Sequence, residues 1–553
     1  METVVQSLVR HFREWGVRHV FSIPGKAIVP LMLEVGNQGV QYVLSRHECG
    51  AGYSAAGYAL LSQGLGVAIG TSGPGGTNML TAAGQAKAYH LPVLFITGHA
   101  SMKDNGKPLG QDSTFFATDL VRMFEPVTLF SARVERGDQF PVYLQHAVEQ
   151  AVQGVRGPVH LSIPQDVLTE ATPSFQLELP SDKPLMMSTR LREALDLLAT
   201  ARRPLLFLGK GVHISRAYDA VQRLAETWGI PVITTPGGKG AFRSTHPLHI
   251  GPLGLGGITE AKDYLESGID VLVVIGTKLS DMSIPFMNDR MVPKHILQFD
   301  VDGTFIGKTF PSPTLFVQGD ARLNLEALLA EAERLIPAQE SAYSLAAAAL
   351  EAPAPESDTS TTPKVSVGLL TAEQVMQSLG DLLPQDAVVF GDDGSHSYHA
   401  IRHLQIGQAG FFRFDDVFAA MGHAIGYSVG AQLAAPDRRI VCLTGDGCMF
   451  MHGSEVSTAV NNGAHVLFIV LNNGKLDMVN KGMQNATGRT DGTVYEVPLD
   501  AAMYARSMGA RVYSADNQLQ FEAVLKEALL LKETIVIEAC VDPDEIPPTL
   551  ARG

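Results

Sequence analysis

The sequence is poor in cysteine, and no run of apolar residues is long. Four cysteines occur in 553 residues, in or next to apolar segments, without a CxxC or Cys/His cluster: Cys49, Cys442, Cys448 and Cys540. This excludes a recognisable zinc motif and a disulfide framework, and it indicates reduced, buried thiols. No uninterrupted apolar run reaches the roughly 18 residues that a membrane helix needs. The amphipathic start at 1–17 is not a signal peptide. We therefore predict a cytoplasmic protein outside the membrane.

Charge is also scarce and unevenly divided. Charged residues make up 18% of the chain, and the formal net charge is −15, from 42 basic and 57 acidic residues. An acidic surplus gives no electrostatic case for binding nucleic acid or an anionic membrane. Hydrophobic content of 45% supports buried cores, and 553 residues are too many for a single core. About three domains are expected for this length.

Three long segments alternate short apolar strands with helical stretches. They cover residues 1–180, 185–338 and 365–553, and the alternation predicts an α/β fold with three doubly wound parallel-sheet domains. Residues 339–364 are rich in alanine, proline, serine and threonine, and we interpret them as an interdomain linker.

One βαβ unit, at 438–479, carries the strongest chemical signal. An apolar strand at 440–444 ends in Gly445-Asp446-Gly447, a helix is predicted at 454–462, and a second strand at 465–471 ends in Asn472-Asn473. The right-handed crossover brings both strand ends to one edge of the sheet. Asp446 and Asn473 would then offer oxygen ligands to Mg²⁺ or Ca²⁺ bridging to a diphosphate. The alternative is an ordinary βαβ unit with turn residues at its strand ends.

Glu48 is the second candidate. It follows a predicted strand at 41–45 and precedes a helix rich in glycine and alanine at 49–61, which would place a carboxylate in a crevice of low dielectric. The alternative is a solvated or helix-capping glutamate. The tight turn Ser72-Gly73-Pro74-Gly75 follows the next strand.

These motifs together resemble those of enzymes that use thiamine diphosphate (ThDP). The shared features are GDG followed one helix later by NN, RHE-x-GA at 46–51 with AAGYA after it, and SGPG at 72–75. The closest branch is the large subunit of acetolactate (acetohydroxyacid) synthase. The resemblance covers essentially the whole chain. It implies a pyrimidine-binding domain, a middle domain and a diphosphate-binding domain, in that order.

The resemblance also assigns roles to residues. It implies that Asp446, Asn473 and the backbone carbonyl of Lys475 bind Mg²⁺. Glu48 would hydrogen-bond the pyrimidine ring and favour its imino tautomer, and Met421 would be the apolar residue that bends the cofactor. For His396 and Met421 the alternatives are a structural histidine and a core methionine. The implied contacts of ThDP are Pro24, Gly25, Pro74, Asn78, Gly394, Ser395, His396, Met421, Gly445, Asp446, Gly447, Cys448, Asn473 and Lys475.

Two positions depart from the synthases. Phe116, preceded by Phe115, stands where those enzymes have a glutamine that helps to place the acceptor, so we predict that Phe116 belongs to the catalytic site. Lys278 stands where they have an arginine that contacts flavin, so FAD is possible but is not favoured.

The sequence therefore predicts a ThDP- and Mg²⁺-dependent decarboxylating carboligase. Its partners would be a 2-oxo acid such as pyruvate and a carbonyl acceptor. Alternatives on the same scaffold are a decarboxylase, a C–C lyase, a flavin-linked oxidase, or a regulatory paralogue without activity. Because Glu48 and Asp446 lie in different domains, the resemblance implies a homodimer or homotetramer with active sites at the subunit interface.

Overall fold

The structure is a computed structural model that describes residues 2–180, 188–285, 287–335 and 369–548. The described chain contains three parallel six-stranded sheets flanked by helices, which confirms the predicted fold class. The predicted linker at 339–364 lies outside the described residues. Among those that are described, no helix is long and apolar enough to cross a membrane.

The first sheet has the strand order β3-β2-β4-β5-β7-β6, and all its neighbours are parallel. Its strands are β2 (His19–Ser22), β3 (Gln41–Leu44), β4 (Gly66–Gly70), β5 (Val93–His99), β6 (Phe130–Arg133) and β7 (Val159–Pro164). Its helices are α1 (Val4–Glu14), α2 (Val29–Asn37), α3 (Glu48–Ser62), α4 (Pro74–Thr77), α5 (Leu80–Ala88), α6 (Leu120–Phe124) and α7 (Phe140–Val152). The short strands β1 (Glu2–Thr3) and β8 (Ala171–Thr172) pair antiparallel beside it.

The second sheet has the order β11-β10-β9-β12-β13-β14, again all parallel. Its strands are β9 (Pro204–Leu208), β10 (Val232–Thr234), β11 (His249–Pro252), β12 (Val271–Ile275), β13 (His295–Asp300) and β14 (Thr314–Gln318). The helices are α8 (Leu191–Thr200), α9 (Gly211–Ser215), α10 (Tyr218–Trp228), α11 (Thr259–Glu266) and α12 (Ala321–Leu335).

The third sheet has the order β16-β15-β17-β18-β20-β19 and is also parallel throughout. Its strands are β15 (Val388–Gly391), β16 (Phe412–Arg413), β17 (Ile440–Gly445), β18 (Leu467–Asn472), β19 (Arg511–Ala515) and β20 (Ile535–Cys540). The helices are α13 (Ala372–Leu382), α14 (Ser395–His403), α15 (His423–Ala434), α16 (Asp446–His452), α17 (Glu455–Asn461), α18 (Asp477–Thr487), α19 (Ala501–Ser507) and α20 (Gln518–Leu529).

The first and third sheets share one topology. Counted within each domain, both run 2-1-3-4-6-5, whereas the middle sheet runs 3-2-1-4-5-6. Their central strands, such as β17 and β5, are buried along their whole length. Burial on both faces explains why these strands appear in the sequence as continuous apolar runs rather than as alternating patterns.

Helices α3 and α15, which occupy equivalent positions in the first and third domains, pack directly against each other. Glycines allow this close approach, because a Cβ atom at Gly57 or Gly430 would overlap a carbonyl oxygen of the facing helix. A Cβ at Gly426 would lie 2.5 Å from the Cβ of Tyr53. The contact therefore fixes the first domain against the third within one chain.

A buried ion pair joins all three domains. Lys210 Nζ lies 2.7 Å from Asp415 Oδ1, and the side chain of Gln85 donates to the other oxygen of the same carboxylate. The ammonium group also lies 5.0 Å from the centre of the Tyr89 ring. A buried pair of this kind is weak evidence for stability.

The helix predicted at 454–462 is confirmed as α17, and a further short helix, α16, which was not predicted, precedes it. The chain turns into helix α16 at Asp446 itself and then into α17, so the crossover from β17 to β18 contains two short helices. The first turn forms because the carboxylate of Asp446 accepts a hydrogen bond from the N–H of Gly447, at 2.7 Å. Glycine before and after this aspartate is therefore compatible with a helix start.

Candidate active site

A pocket lies where β15, β17 and β18 end, at the point where the strand order of the third sheet reverses. Parallel α/β sheets bind ligands in the crevice at such a point. The predicted residues of the third domain all line this pocket: Gly394, Ser395, His396, Met421, Gly445, Asp446, Gly447, Cys448, Asn473 and Lys475. They come from four separate chain segments, so the fold brings them together.

Asp446 ties the two strand ends together. Strands β17 and β18 are parallel neighbours, with Gly445 opposite Leu471, as the βαβ reasoning predicts. One carboxylate oxygen of Asp446 accepts from the N–H of Gly447 and the other from the N–H of Gly474, both at 2.7 Å. Burial raises the pKa of Asp446 to about 6, although these N–H groups favour its charged form. Asn473, next to Gly474, also lines the pocket.

The opposite wall of the pocket has the features of an anion cradle. A Cβ at Gly394 would lie 2.7 Å from the His396 ring, and one at Gly445 would lie 3.0 Å from it, so glycine leaves the backbone open here. His396 Nε2 and Asp393 Oδ2 are buried without a hydrogen-bond partner among the described residues. Burial lowers the pKa of His396 to about 4, so the ring is neutral and retains one N–H to donate. These residues fit a diphosphate bound with a divalent cation.

Met421 closes the pocket on a third side. A Cβ at Gly447 would lie 2.7 Å from Leu476 Cδ2 and 3.1 Å from the Met421 methyl carbon, so a side chain there would crowd both residues. The backbone around it is unusual, because Ala419 has φ of +59° and Gly422 has φ of +87°. Such values are sparsely populated for alanine and persist where the surroundings hold them.

The predicted residues of the first domain lie at the carboxyl edge of the first sheet. Glu48 is the first residue of α3, is 9% exposed, and accepts a hydrogen bond from Asn78 Nδ2 at 2.9 Å. Gly25, after Pro24, packs so closely on Thr71 that a Cβ would overlap it. Pro74 begins helix α4 beside them.

The first-domain group is not part of the third-domain pocket lining. Of the described residues that line the third-domain pocket, none belongs to the first domain. Phe116 is also separate from it. Phe116 is 62% exposed, and its ring lies against that of Phe115 with a centroid distance of 4.1 Å and an interplanar angle of 31°.

A larger cleft of about 690 Å³ lies at the carboxyl ends of β9 and β12, the point of strand reversal in the middle sheet, and residues of the first and third domains also line it. Lys278 lines it, with Nζ 3.8 Å from Asp302 Oδ2 and 5.2 Å from the centre of the Phe305 ring. The position fits a nucleotide. That FAD is not favoured remains a prediction.

Sequence reasoning missed Asp392, Asp393 and His423. Asp392 and Asp393 directly follow the apolar strand β15, and both are buried in the structure. Two adjacent acidic residues at the end of an apolar strand could have been predicted as site residues. His423 gave none, because a single histidine near the start of an apolar helix is usually structural.

Fold and site together describe a three-domain α/β protein with a pocket at the strand ends of its last domain. Three family profiles match the chain: the N-terminal binding domain of thiamine pyrophosphate enzymes at 2–120, their central domain at 191–328 and their C-terminal binding domain at 392–539. Thiamine pyrophosphate is another name for ThDP. The chain belongs to the thiamine pyrophosphate enzyme family.

Individual relatives agree with this assignment. Acetolactate synthase of Mycobacterium bovis is 30% identical over 579 aligned residues, covering 100% of this chain and 90% of the relative. A probable acetolactate synthase large subunit of Methanocaldococcus jannaschii is 28% identical, with 99% and 93% covered. Among solved structures, the ThDP-dependent 4-hydroxybenzoylformate decarboxylase of Rhodococcus jostii RHA1 has a TM-score of 0.85 at 23% identity, covering 98% of this chain and 100% of the other. At that identity the likeness concerns the fold alone.

Proposed function

We propose that this enzyme is a ThDP- and Mg²⁺-dependent decarboxylating carboligase that acts on a 2-oxo acid such as pyruvate, as acetolactate synthases do. The observation that carries the proposal is the placement of Asp446 and Asn473 at the paired ends of β17 and β18. One carboxylate and one amide at a sheet edge match the oxygen ligands that Mg²⁺ takes when a phosphate completes its coordination.

Each wall of the pocket has a role in this proposal. Asp446, Asn473 and the carbonyl of Lys475 would hold the metal, and the Gly394–His396 turn would hold phosphate oxygens. When bound, ThDP supplies an electron sink for the pair released as the C1–C2 bond of a 2-oxo acid breaks and CO₂ leaves. The protein's part is to orient that group, exclude water and exchange protons with it through Glu48.

A second copy of the chain would complete the site. Glu48 is not among the described residues that line the third-domain pocket, which supports a pyrimidine-side carboxylate supplied by a second copy. Exposed apolar side chains occur on the third-domain segments that surround the pocket, among them Phe450, Val479 and Val494. Covering them with a first domain from another copy gives a homodimer, and two such dimers give a homotetramer. The free cysteines suit a reducing compartment such as the cytoplasm.

The function is tested with a panel of 2-oxo acids, measuring CO₂ release and product mass with and without an added aldehyde. A carboligase gives a product heavier than the decarboxylated donor, and the mass identifies the acceptor. CO₂ release with only the simple aldehyde as product would instead assign a decarboxylase. Release of hydrogen peroxide would assign an oxidase.

Phe116 favours an acceptor less charged than a second 2-oxo acid, because an aromatic ring offers neither the donor nor the acceptor of an amide. We expect Phe116→Gln to raise acetolactate formation from pyruvate relative to other products. The measurement is the product ratio by mass spectrometry, with Phe115→Gln as the matched control on the neighbouring ring. An unchanged ratio in Phe116→Gln would show that this ring only packs.

A further inference from the structure

The turn that carries Met421 is held from both sides by one buried ion pair. The Nδ1–H of His423 is shared between the carbonyl oxygen of Ala420, at 2.8 Å, and Asp392 Oδ1, at 3.2 Å. The same carboxylate oxygen accepts the N–H of Gly422 at 2.8 Å. The residues immediately before and after Met421 are thus bonded to Asp392 and His423.

Asp392 is itself rigidly held. It is fully buried, and its second oxygen accepts from Thr444 Oγ1 at 2.9 Å, next to the end of β17. The N–H of Asp393 donates to its first oxygen at 3.0 Å. The carboxylate therefore has a fixed position, and the turn that carries Met421 is bonded to it through Gly422 and His423. Ala419 has a left-handed φ of +59°, a conformation that costs free energy for a residue other than glycine and persists where the surroundings hold it.

We propose that the Asp392–His423 ion pair is the positioning device for Met421, which it holds over the pocket in a single orientation. The proposal deepens the proposed function and rests on it only for the role of Met421 toward the cofactor. His423 does not line the pocket, so it acts through the turn.

The charges around His423 support a protonated ring at neutral pH. Burial alone would lower the pKa of His423, but the bond to Asp392 and the carboxylates of Asp393 and Asp415 raise it to about 9. The His423 ring in turn lowers the pKa of Asp392, which burial alone would raise. The charged or titratable groups that face His423 are Asp392, Asp393, Asp415, His396, His452, Tyr53 and Tyr427.

The raised pKa of His423 determines how the contribution of the Asp392–His423 pair changes with pH. The folded-state pKa of His423 lies above its ordinary value of 6.5, so the pair stabilises the fold fully below about pH 6.5 and loses that contribution as the pH rises through about 9. We expect the orientation of Met421 to be lost over the same upper range, because the neutral ring no longer attracts the carboxylate as an ion.

The test reports on Met421 in the protein without cofactor. The chain carries 18 methionines, which are labelled with ¹³C at the methyl carbon, and the Met421 signal is assigned by its loss in Met421→Leu. In the wild type we expect that signal to move or broaden with a midpoint near pH 9. In His423→Phe it should be displaced at every pH. The control is His160→Gln, which removes a buried histidine of the first domain that is bonded to Thr97 and Ser131. It should leave the Met421 signal in place.

A second readout links the turn to the cofactor. We expect His423→Phe to slow hydrogen–deuterium exchange at C2 of added ThDP by about 10–100-fold, the size of loss that a misplacement of about 1 Å produces. The ThDP dissociation constant should change little, because metal and phosphates are held elsewhere.

An identical Met421 signal in wild type and His423→Phe, without pH dependence, would overturn the proposal. If His423→Phe does not fold, the wild-type titration decides alone: a midpoint near pH 9 supports the proposal and a flat profile overturns it. Failure of the wild type to bind ThDP would instead overturn the proposed function, and the methyl signals would still report on the ion pair.

Discussion

Replacement of Glu48 by glutamine is expected to slow hydrogen–deuterium exchange at C2 of bound ThDP by about 10²–10⁴-fold, the usual contribution of a general acid or base. Glutamine keeps the size of the side chain and still accepts from Asn78, which now donates to Glu48 at 2.9 Å. It cannot, however, exchange a proton with the pyrimidine ring. The affinity for ThDP should change much less, because the residues for metal and diphosphate lie in the third domain.

The measurement pairs the exchange experiment with a cofactor titration. Asn78→Asp is not a suitable control, because it places a second carboxylate beside Glu48. The matched control is Glu34→Gln, on helix α2 of the same domain, which should leave exchange unchanged. Unimpaired exchange in Glu48→Gln would remove Glu48 from the mechanism.

The second large effect concerns Asp446. We expect Asp446→Ala to weaken ThDP binding by more than about 100-fold, because it removes a charged ligand of the metal. It also removes the carboxylate that accepts hydrogen bonds from the N–H groups of Gly447 and Gly474. Equilibrium dialysis with and without Mg²⁺ measures the loss, and Asp437→Ala, an exposed aspartate of the same domain, is the control. Metal-dependent binding that persists in Asp446→Ala would refute the ligand assignment.

Together the two variants test the proposed interface. If each site takes Glu48 from one chain and Asp446 from the other, a mixed dimer has one doubly defective site and one intact site. Mixing the two inactive proteins under conditions that exchange subunits should then restore activity. A site built within one chain would leave both sites of a mixed dimer defective, and no activity would return.

Sequence reasoning succeeded where chemistry depends on strand ends. Asp446 and Asn473 follow buried runs, and parallel pairing of β17 and β18 places such ends together by necessity. Strand β16, at Phe412–Arg413, has two residues and was missed because so short a segment has no periodicity. The relation of Asp392 to His423 was also beyond reach, because no spacing rule connects a strand end to a helix formed 31 residues later.

The copy of the first domain that would supply Glu48 to the pocket depends on packing between domains and between subunits. The motifs at 46–51 and 445–447 are recognisable in the sequence. The sequence does not indicate whether they meet within one chain or between two chains. Within one chain α3 packs on α15 through glycines; the sequence marks α3 as rich in glycine and alanine but does not identify the helix that packs on it.

The close packing of α3 on α15 also limits the substitutions that this enzyme can accept. At Gly57, Gly426 and Gly430 no side chain has space, so no sequence of small neutral steps leads from glycine to a larger residue there. Lineages that descend from this chain should keep the three glycines, whereas exposed residues outside the proposed site and subunit interface should vary. In laboratory-evolved variants of this chain, substitutions should therefore be absent from the α3–α15 contact and should accumulate at the surface.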